Sequence, residues 1–242
     1  MLKNLEKQVR GLVYLFSHPQ QLKWVIIREA RFGQRNNSRQ DWVEWQKYDA
    51  QMHISMMRSN PAALSASTLN KERIQIFSSM VGSIGKGMRI LDVGCGEGAI
   101  SEPILKMGNS ITSVELPAVA ILAQQCGVPS IVAGDAEKLA FASNSFDVVL
   151  ASEVMEHLWN PEIFIDEAYR VLKNDGYLIV GTPEGKEGLN YDSHRHFFTV
   201  ESLKQMVGSR FIVCEVERLG KTGRAQTPTI ILMLRKLPII EN

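Results

Sequence analysis

Three glycines spaced two residues apart follow a short apolar run near the middle of the chain, in the sequence ILDVGCGEG over residues 90–98. Gly94, Gly96 and Gly98 allow the backbone to turn sharply and to come within contact distance of a ligand. A helix predicted to begin after this loop would present free backbone N–H groups at its first turn. The segment predicts a nucleotide-type binding loop, in which Cys95 is interpreted as a small residue and not as a nucleophile.

The glycine pattern alone leaves the ligand open, because Gly94, Gly96 and Ala99 also satisfy the relaxed fingerprint of NAD- and FAD-binding proteins. Asp92 favours a different ligand. A carboxylate near the end of an apolar, buried strand needs a partner. It would repel a pyrophosphate, whereas S-adenosylmethionine presents an ammonium and a sulfonium group. The charge at Asp92 therefore favours the methyl donor over a dinucleotide.

Two further carboxylates follow the next two predicted strands. Glu115, which precedes Leu116, can accept both hydroxyls of a ribose, and this serves either cofactor equally well. Asp135 can accept from the exocyclic amine of adenine, and the Ala136 backbone N–H can donate to its ring. Three carboxylates at successive strand ends predict one polar rim at the carboxyl edge of a parallel sheet.

Five segments together resemble the class I, Rossmann-like methyltransferases, and most of all the branch with the ubiquinone-biosynthesis O-methyltransferases and many small-molecule and glycan methyltransferases. These are residues 90–98, Glu115, 134–136, 146–158 and 171–183, and the resemblance covers roughly residues 70–235. It implies that S-adenosylmethionine is the cofactor. The residues it assigns to that cofactor are Asp92, Gly94, Gly96 and Gly98 for the methionine moiety, Glu115 for the ribose, Asp135 and Ala136 for the adenine, and Ser152 and Glu153 beside the sulfonium.

The expected function is methyl transfer to a hydroxyl oxygen of a small molecule, a lipid-linked precursor or a saccharide. Positioning of the nucleophile does most of the work in such a displacement. A base that takes the hydroxyl proton would help, and His157, His194 and His196 are the candidates. An NAD(P)-dependent oxidoreductase and a non-catalytic, methyltransferase-like binding protein remain the alternatives.

The sequence EVMEH over residues 153–157 raises the question of a metal. Some relatives hold a divalent ion with a Glu-x-x-Glu-His cluster and a later histidine. The resemblance would assign Glu153, Glu156 and His157 to that ion, with His194 or His196 as the fourth ligand. Most carboxylate and histidine clusters in loops are instead hydrogen-bonded or solvated, so the prediction is that no metal is bound.

The pattern after residue 88 alternates short apolar runs with amphipathic segments, which is typical of βαβ units. It predicts a seven-stranded, mostly parallel, doubly wound α/β sheet with an antiparallel final strand, because the last two strands lie too close in sequence for a helical crossover. The predicted strands are 89–93, 110–115, 130–132, 146–151, 177–181, 211–217 and 229–234, and the helices between them are 99–107, 117–125, 161–172 and 200–207.

Residues 1–65 are predicted to form a helical N-terminal cap, and residues 66–242 the Rossmann-like domain. Apolar residues at three- and four-residue steps between Leu2 and Phe16 indicate the first helix. Charged residues opposite its apolar face are also compatible with peripheral membrane contact.

The formal net charge of +1 argues against a nucleic-acid partner, since phosphate binding normally needs a concentrated basic surface. Three widely spaced cysteines predict neither a disulfide framework nor a zinc site, and they fit a cytoplasmic location. A small-molecule acceptor is the expected partner.

Overall fold

A computed structural model describes residues 38–48, 68–185, 194–220 and 228–238 of the chain. The chain divides into two compact units, Met1–Tyr48 and Asp49–Asn242. In the first unit residues 39–48 are helical, and the rings of Trp42 and Trp45 stack 5.1 Å apart. The rest of the predicted cap, with the helix proposed for membrane contact, lies outside the described residues, and the boundary at residue 65 stays a prediction.

The second unit is built around one seven-stranded sheet. Its elements in chain order are α1 (Thr68–Ile84), β1 (Arg89–Val93), α2 (Ser101–Lys106), β2 (Ser110–Glu115), α3 (Pro117–Gln125), β3 (Ile131–Ala133), β4 (Phe146–Ser152), a 3₁₀ turn (Met155–His157), α4 (Pro161–Val171), β5 (Leu172–Pro183), α5 (Val200–Val207), a second 3₁₀ turn (Gly208–Arg210), β6 (Phe211–Leu219) and β7 (Thr229–Lys236). The strand order is β3-β2-β1-β4-β5-β7-β6. Strands β1 to β5 pair in parallel, and β7 runs antiparallel to both β5 and β6. The predicted fold class is confirmed.

Alternate residues of the central strands face opposite sides of the sheet, as the two-residue period of a strand requires. Leu91 of β1 lies in one hydrophobic core with α4 and α5, whereas its neighbour Ile90 lies in a second core with Phe77 of α1 and Ile104 of α2. Both faces are therefore covered, which explains why these strands are continuous apolar runs.

Two helix starts are those that the sequence predicts. Asn160 caps α4, because its side-chain oxygen accepts from the Glu162 backbone N–H at 3.1 Å. Thr199 and Ser202 form a reciprocal capping box at the start of α5.

Several predicted boundaries are wrong by a few residues. Strand β3 begins at Ile131 and ends at Ala133, and β5 begins at Leu172 and ends at Pro183, where the sequence suggested 177–181. Strand β6 carries a register shift between Val213 and Glu215 in its pairing with β7. Among the residues described, no helix is both long and apolar enough to span a membrane.

Candidate active site

The three glycines of the loop that follows β1 have left-handed backbone conformations. Gly94, Gly96 and Gly98 have φ angles of 69°, 52° and 82°, a region that residues with a Cβ rarely adopt. A Cβ on Gly94 would lie 2.4 Å from Cγ2 of Val154, whereas a Cβ on Gly96 would meet no atom within 4 Å. Gly94 is thus required by packing, and the open space at Gly96 is the place where a ligand can approach the backbone.

Asp92 lies in β1, two residues before the loop, and is only 2% exposed. Its Oδ2 accepts a hydrogen bond of 2.6 Å from Oγ of Ser101 at the start of α2. Burial, together with the nearby Glu115, raises the pKa of Asp92 to about 7, against the lowering effect of the Ser101 hydrogen bond. A cation placed beside this carboxylate would stabilise its anion, which fits the ammonium group of the methyl donor.

Glu115 ends β2 and ties the glycine loop to that strand. Its Oε2 accepts from the Gly96 backbone N–H at 3.2 Å, and its Oε1 accepts from the Leu116 backbone N–H at 2.9 Å. Burial raises the pKa of Glu115. Each carboxylate oxygen has a second lone pair, so this group can still accept from ribose hydroxyls.

Asp135 follows β3 at the same edge of the sheet. Its Oδ1 accepts from the Glu137 backbone N–H at 2.9 Å, and the Gly134 N–H donates to the Glu115 carbonyl oxygen at 2.9 Å. The parallel pairing of β1 with β2 and of β2 with β3 brings the ends of all three strands to one edge. The predicted rim of Asp92, Glu115 and Asp135 is therefore present, with Ala136 next to it.

Cys95 is half-buried beside this rim. Its Sγ lies 3.6 Å from the Gly96 carbonyl oxygen, and burial raises the pKa of the thiol well above its usual range. A thiol that stays protonated is a poor nucleophile, in agreement with the interpretation of Cys95 as a small residue.

The end of β4 carries Ser152 and Glu153, the residues expected beside the sulfonium. Glu153 has a φ angle of 57°, and its backbone N–H donates to the Gly181 carbonyl oxygen at 2.8 Å. Its Oε1 lies 3.8 Å from Nη2 of Arg73 in α1. Burial and the neighbouring Glu156 raise the pKa of Glu153 to about 8, against the lowering effect of Arg73.

Glu156, His157 and His194 form a compact cluster next to Glu153. One ligand atom from each of the three lies within 4.8 Å of the others, and the two imidazole rings meet edge to face at 4.8 Å between centroids. Glu156 is 1% exposed, and its Oε2 accepts from Oγ1 of Thr182 at 2.9 Å. Its Oε1 has no hydrogen-bond partner in the described part of the chain and lies 3.9 Å from Nε2 of His157.

Burial raises the pKa of Glu156 to about 7. The cluster therefore combines a carboxylate that can exchange a proton near neutral pH with two imidazoles. Such a set can accept the proton of a hydroxyl group, or it can supply three ligands to a divalent ion.

His196 lies outside this cluster, and of the two histidines considered as a fourth metal ligand it is His194 that lies beside Glu156 and His157. Nε2 of His196 lies 3.0 Å from the Leu158 carbonyl oxygen, and burial lowers the pKa of its imidazole. The backbone N–H groups of Arg195 and His196 donate to the Glu156 carbonyl oxygen at 2.8 and 3.3 Å. These two bonds attach the segment that carries His194 to the 3₁₀ turn that carries Glu156 and His157.

Sequence reasoning missed three residues of this region: Arg73, Glu137 and Thr182. Arg73 and Thr182 contact Glu153 and Glu156 from α1 and β5, and the carboxylate of Glu137 contacts backbone N–H groups of residues 159 and 160. They lie between 20 and 80 residues from their partners, so no local pattern indicates the contacts.

Comparison with known proteins agrees with this geometry. Residues 91–180 match the family model described as "Methyltransferase domain". A curated relative, the ubiquinone biosynthesis O-methyltransferase of Azorhizobium caulinodans, is 42% identical over 103 residues, which are 40% of this chain and 41% of the relative. The chain thus matches less than half the length of this curated relative.

Solved structures share the fold over a longer part of the chain. The N-methyltransferase NodS of Bradyrhizobium japonicum WM9, in complex with S-adenosylhomocysteine, has a TM-score of 0.65 at 19% identity and covers 77% of this chain and 98% of its own. The 1,6-didemethyltoxoflavin-N1-methyltransferase of Burkholderia thailandensis has a TM-score of 0.65 at 18% identity, with coverage of 85% and 93%.

The strand order and the polar sheet edge of this chain resemble those of the Rossmann-like methyltransferases. Residues 91–180 match a methyltransferase domain, and the described sheet has the fold of solved methyltransferases in complex with S-adenosylhomocysteine.

Proposed function

We propose that this protein transfers a methyl group from S-adenosylmethionine to a hydroxyl oxygen of a small molecule, a lipid-linked precursor or a saccharide. The cofactor would be held by the loop from Gly94 to Gly98 and by the three carboxylates of the rim. Two observations support this fit: the open space at the Gly96 Cα and the buried Asp92, whose anion needs a cation. When bound, S-adenosylmethionine supplies a methyl carbon already activated by the sulfonium.

The cluster of Glu156, His157 and His194 supports a hydroxyl oxygen as the atom that receives the methyl group. When a hydroxyl oxygen bonds to the methyl carbon, the C–S bond breaks, its electron pair stays on sulfur, and the hydroxyl proton must go to a base. An amine acceptor can be bound already deprotonated and needs such a base less. The buried carboxylate of Glu156 beside two imidazoles is the observation that favours oxygen.

The relatives do not decide this point by themselves. The curated relative is named for O-methylation, whereas the two solved structures are named for N-methylation. Structures at 18 and 19% identity inform the fold alone. The cluster residues of this chain therefore support the choice of oxygen.

Calorimetric titration separates the main proposal from the oxidoreductase alternative. S-adenosylhomocysteine should bind, and NADH should not, because Asp92 and Glu115 place negative charge where a pyrophosphate would approach. Binding of NADH without binding of S-adenosylhomocysteine would show that the proposal is wrong.

Transfer of a radiolabelled methyl group to a panel of phenols, saccharides and lipid-linked phenols then tests catalysis. Label recovered on a hydroxyl oxygen supports the proposal, and label on nitrogen of matched amines contradicts the acceptor assignment. Bound cofactor with no transfer to any member would favour the binding-protein alternative.

The same cluster admits a proton-accepting role or a divalent ion, and one measurement distinguishes them. We propose proton acceptance without a metal, as the sequence predicts. Full activity after exhaustive chelation supports this role. Loss of activity that Mg²⁺ or Zn²⁺ restores would instead assign Glu156, His157 and His194 to a metal site.

A further inference from the structure

Glu137 is a buried carboxylate that the proposed chemistry does not use. It lies two residues after Asp135, and it is 7% exposed. Its Oε1 accepts two backbone hydrogen bonds, from the N–H of Trp159 at 2.7 Å and from the N–H of Asn160 at 3.0 Å. A side chain of the adenine loop, residues 135–141, thus holds the backbone of a segment more than twenty residues away.

The segment that Glu137 holds leads directly to the acceptor cluster. Trp159 and Asn160 lie between the 3₁₀ turn, which carries Glu156 and His157, and the start of α4. Asn160 is also the N-cap of α4. Glu137 therefore holds the chain directly after the turn that carries two of the three cluster residues.

The histidine segment is fixed to the same place. His196 contacts the Leu158 carbonyl oxygen, and the guanidinium of Arg195 lies 4.2 Å from the ring centroid of Trp159. Residues 158–160 are thus bonded on one side to the adenine loop and on the other side to residues 195–196. His194, the remaining member of the cluster, is the next residue in that chain segment.

The other end of the adenine loop is attached to α4 by a separate set of contacts. Oε2 of Glu167 accepts from the Leu139 backbone N–H at 2.7 Å. The guanidinium of Arg170 donates to the carbonyl oxygens of Phe141 at 2.7 Å and Leu139 at 2.8 Å. The loop and α4 are therefore joined at two points, of which only the point at Glu137 adjoins the cluster.

We propose that Glu137 is a positioning residue that couples cofactor binding to the geometry of the acceptor cluster. The inference rests on the proposed function, because it takes Asp135 and Ala136 as the adenine site. Adenine bound there fixes the adenine loop, Glu137 transmits its position to the N–H groups of Trp159 and Asn160, and the 3₁₀ turn follows. Cofactor binding thus prepares the site that receives the acceptor.

The experiment uses the full chain labelled with 5-fluorotryptophan, which gives four ¹⁹F resonances, one for each tryptophan. The Trp159→Phe variant assigns the resonance of Trp159. Titration with S-adenosylhomocysteine should shift this resonance in the wild type. In Glu137→Ala the shift should be lost at saturating ligand, and the affinity for S-adenosylhomocysteine should fall about five-fold. Glu137→Gln should restore most of the shift, because the amide oxygen still accepts hydrogen bonds.

Arg170→Met is the matched control, since it removes the two hydrogen bonds from Arg170 to the far end of the adenine loop. It should lower the melting temperature of the protein, as Glu137→Ala does, and yet keep the Trp159 shift. Equal loss of the shift in both variants would mean general loosening of the loop, and the proposal would be wrong. A shift that survives in Glu137→Ala overturns it as well.

The wild-type titration keeps the two proposals apart even if Glu137→Ala does not fold. No binding of S-adenosylhomocysteine by calorimetry contradicts the proposed function. Binding that leaves the Trp159 resonance unmoved contradicts only the coupling through Glu137.

Discussion

The cofactor side and the acceptor side of the candidate site differ in how their carboxylates are spaced and hydrogen-bonded. On the cofactor side, at the ends of β1, β2 and β3, each strand contributes one carboxylate, and Asp92, Glu115 and Asp135 each accept at least one hydrogen bond from a hydroxyl or backbone N–H group. On the acceptor side Glu153 and Glu156 lie close together. Each has an Oε1 without a hydrogen-bond partner among the described residues.

This difference separates binding from proton transfer. Carboxylates fixed one per strand are suited to hold a ligand with positive and hydroxyl groups in one orientation. On the acceptor side burial raises the pKa of both carboxylates, and Glu156 raises that of Glu153 as well, so these groups exchange protons near neutral pH instead. The acceptor side also depends on contacts from α1, β5 and residues 194–196, so its geometry is set by packing and not by one continuous motif.

The largest effect is expected on the acceptor side, from His194→Ala. Loss of an imidazole that accepts or relays the hydroxyl proton should lower kcat about a hundred-fold or more. The affinity for S-adenosylhomocysteine should stay within about two-fold of the wild type, because the cofactor side is left intact. Initial rates with the best acceptor of the panel, together with calorimetry, measure both quantities.

His196→Ala provides the comparison for that variant. His196 contacts the Leu158 carbonyl oxygen and lies outside the cluster, so its loss should lower kcat less than about ten-fold. Equal losses in the two variants would mean that both act by disturbing the segment, and the assignment of His194 to the proton step would fail.

A second, smaller effect is expected where the two halves touch, at Gly94 and Val154. Gly94→Ala combines a left-handed φ with a Cβ 2.4 Å from Cγ2 of Val154, and it should cost about 3 kcal/mol of unfolding free energy. Gly96→Ala meets no neighbouring atom and should cost only about 1 kcal/mol, while it obstructs the ligand. Urea unfolding and calorimetry should therefore show a loss of stability in the first variant and a loss of affinity in the second.

Comparable stabilities in the two alanine variants would contradict the packing at Val154. Undiminished affinity for S-adenosylhomocysteine in Gly96→Ala would contradict the placement of the ligand at that glycine.

The smallest effect is a pH dependence on the cofactor side. Burial raises the pKa of Asp92 to about 7, and a cationic ligand group favours the ionised carboxylate. Affinity for S-adenosylhomocysteine should therefore rise as the pH increases from 6 to 8, by up to about ten-fold for a change of one pKa unit. Asp92→Asn should bind more weakly and show a flatter profile, and an unchanged slope in this variant would assign the dependence to another group.

Most of the fold and the cofactor side could be predicted because their signals are local. A glycine loop after an apolar strand and one acid per strand end follow from neighbouring residues, and the short connection between β6 and β7 excludes a crossover helix. The position of His194 in the cluster, and of His196 outside it, could not be predicted. It depends on how the Arg195 and His196 backbone N–H groups bond to Glu156, forty residues away.

The contact of Arg73 with Glu153 could not be predicted either, because the two residues lie eighty positions apart. Arg73 lies in α1, outside the segment that matches the family model, and reaches Glu153 only because the sheet brings α1 over the end of β4. Sequence periodicity indicates which face of a helix is buried, and it does not indicate which buried acid a long side chain will meet.

The two outer strands of the sheet, β3 and β6, are the edges at which another chain could pair with it. An exposed strand edge offers unpaired backbone groups to any neighbouring chain. Strand β3 is only three residues long, and β6 is irregular between Val213 and Glu215, with exposed Glu217 and Arg218 in its second half. Shortness at one edge, and irregular pairing with charge at the other, make both edges poor templates for β-aggregation.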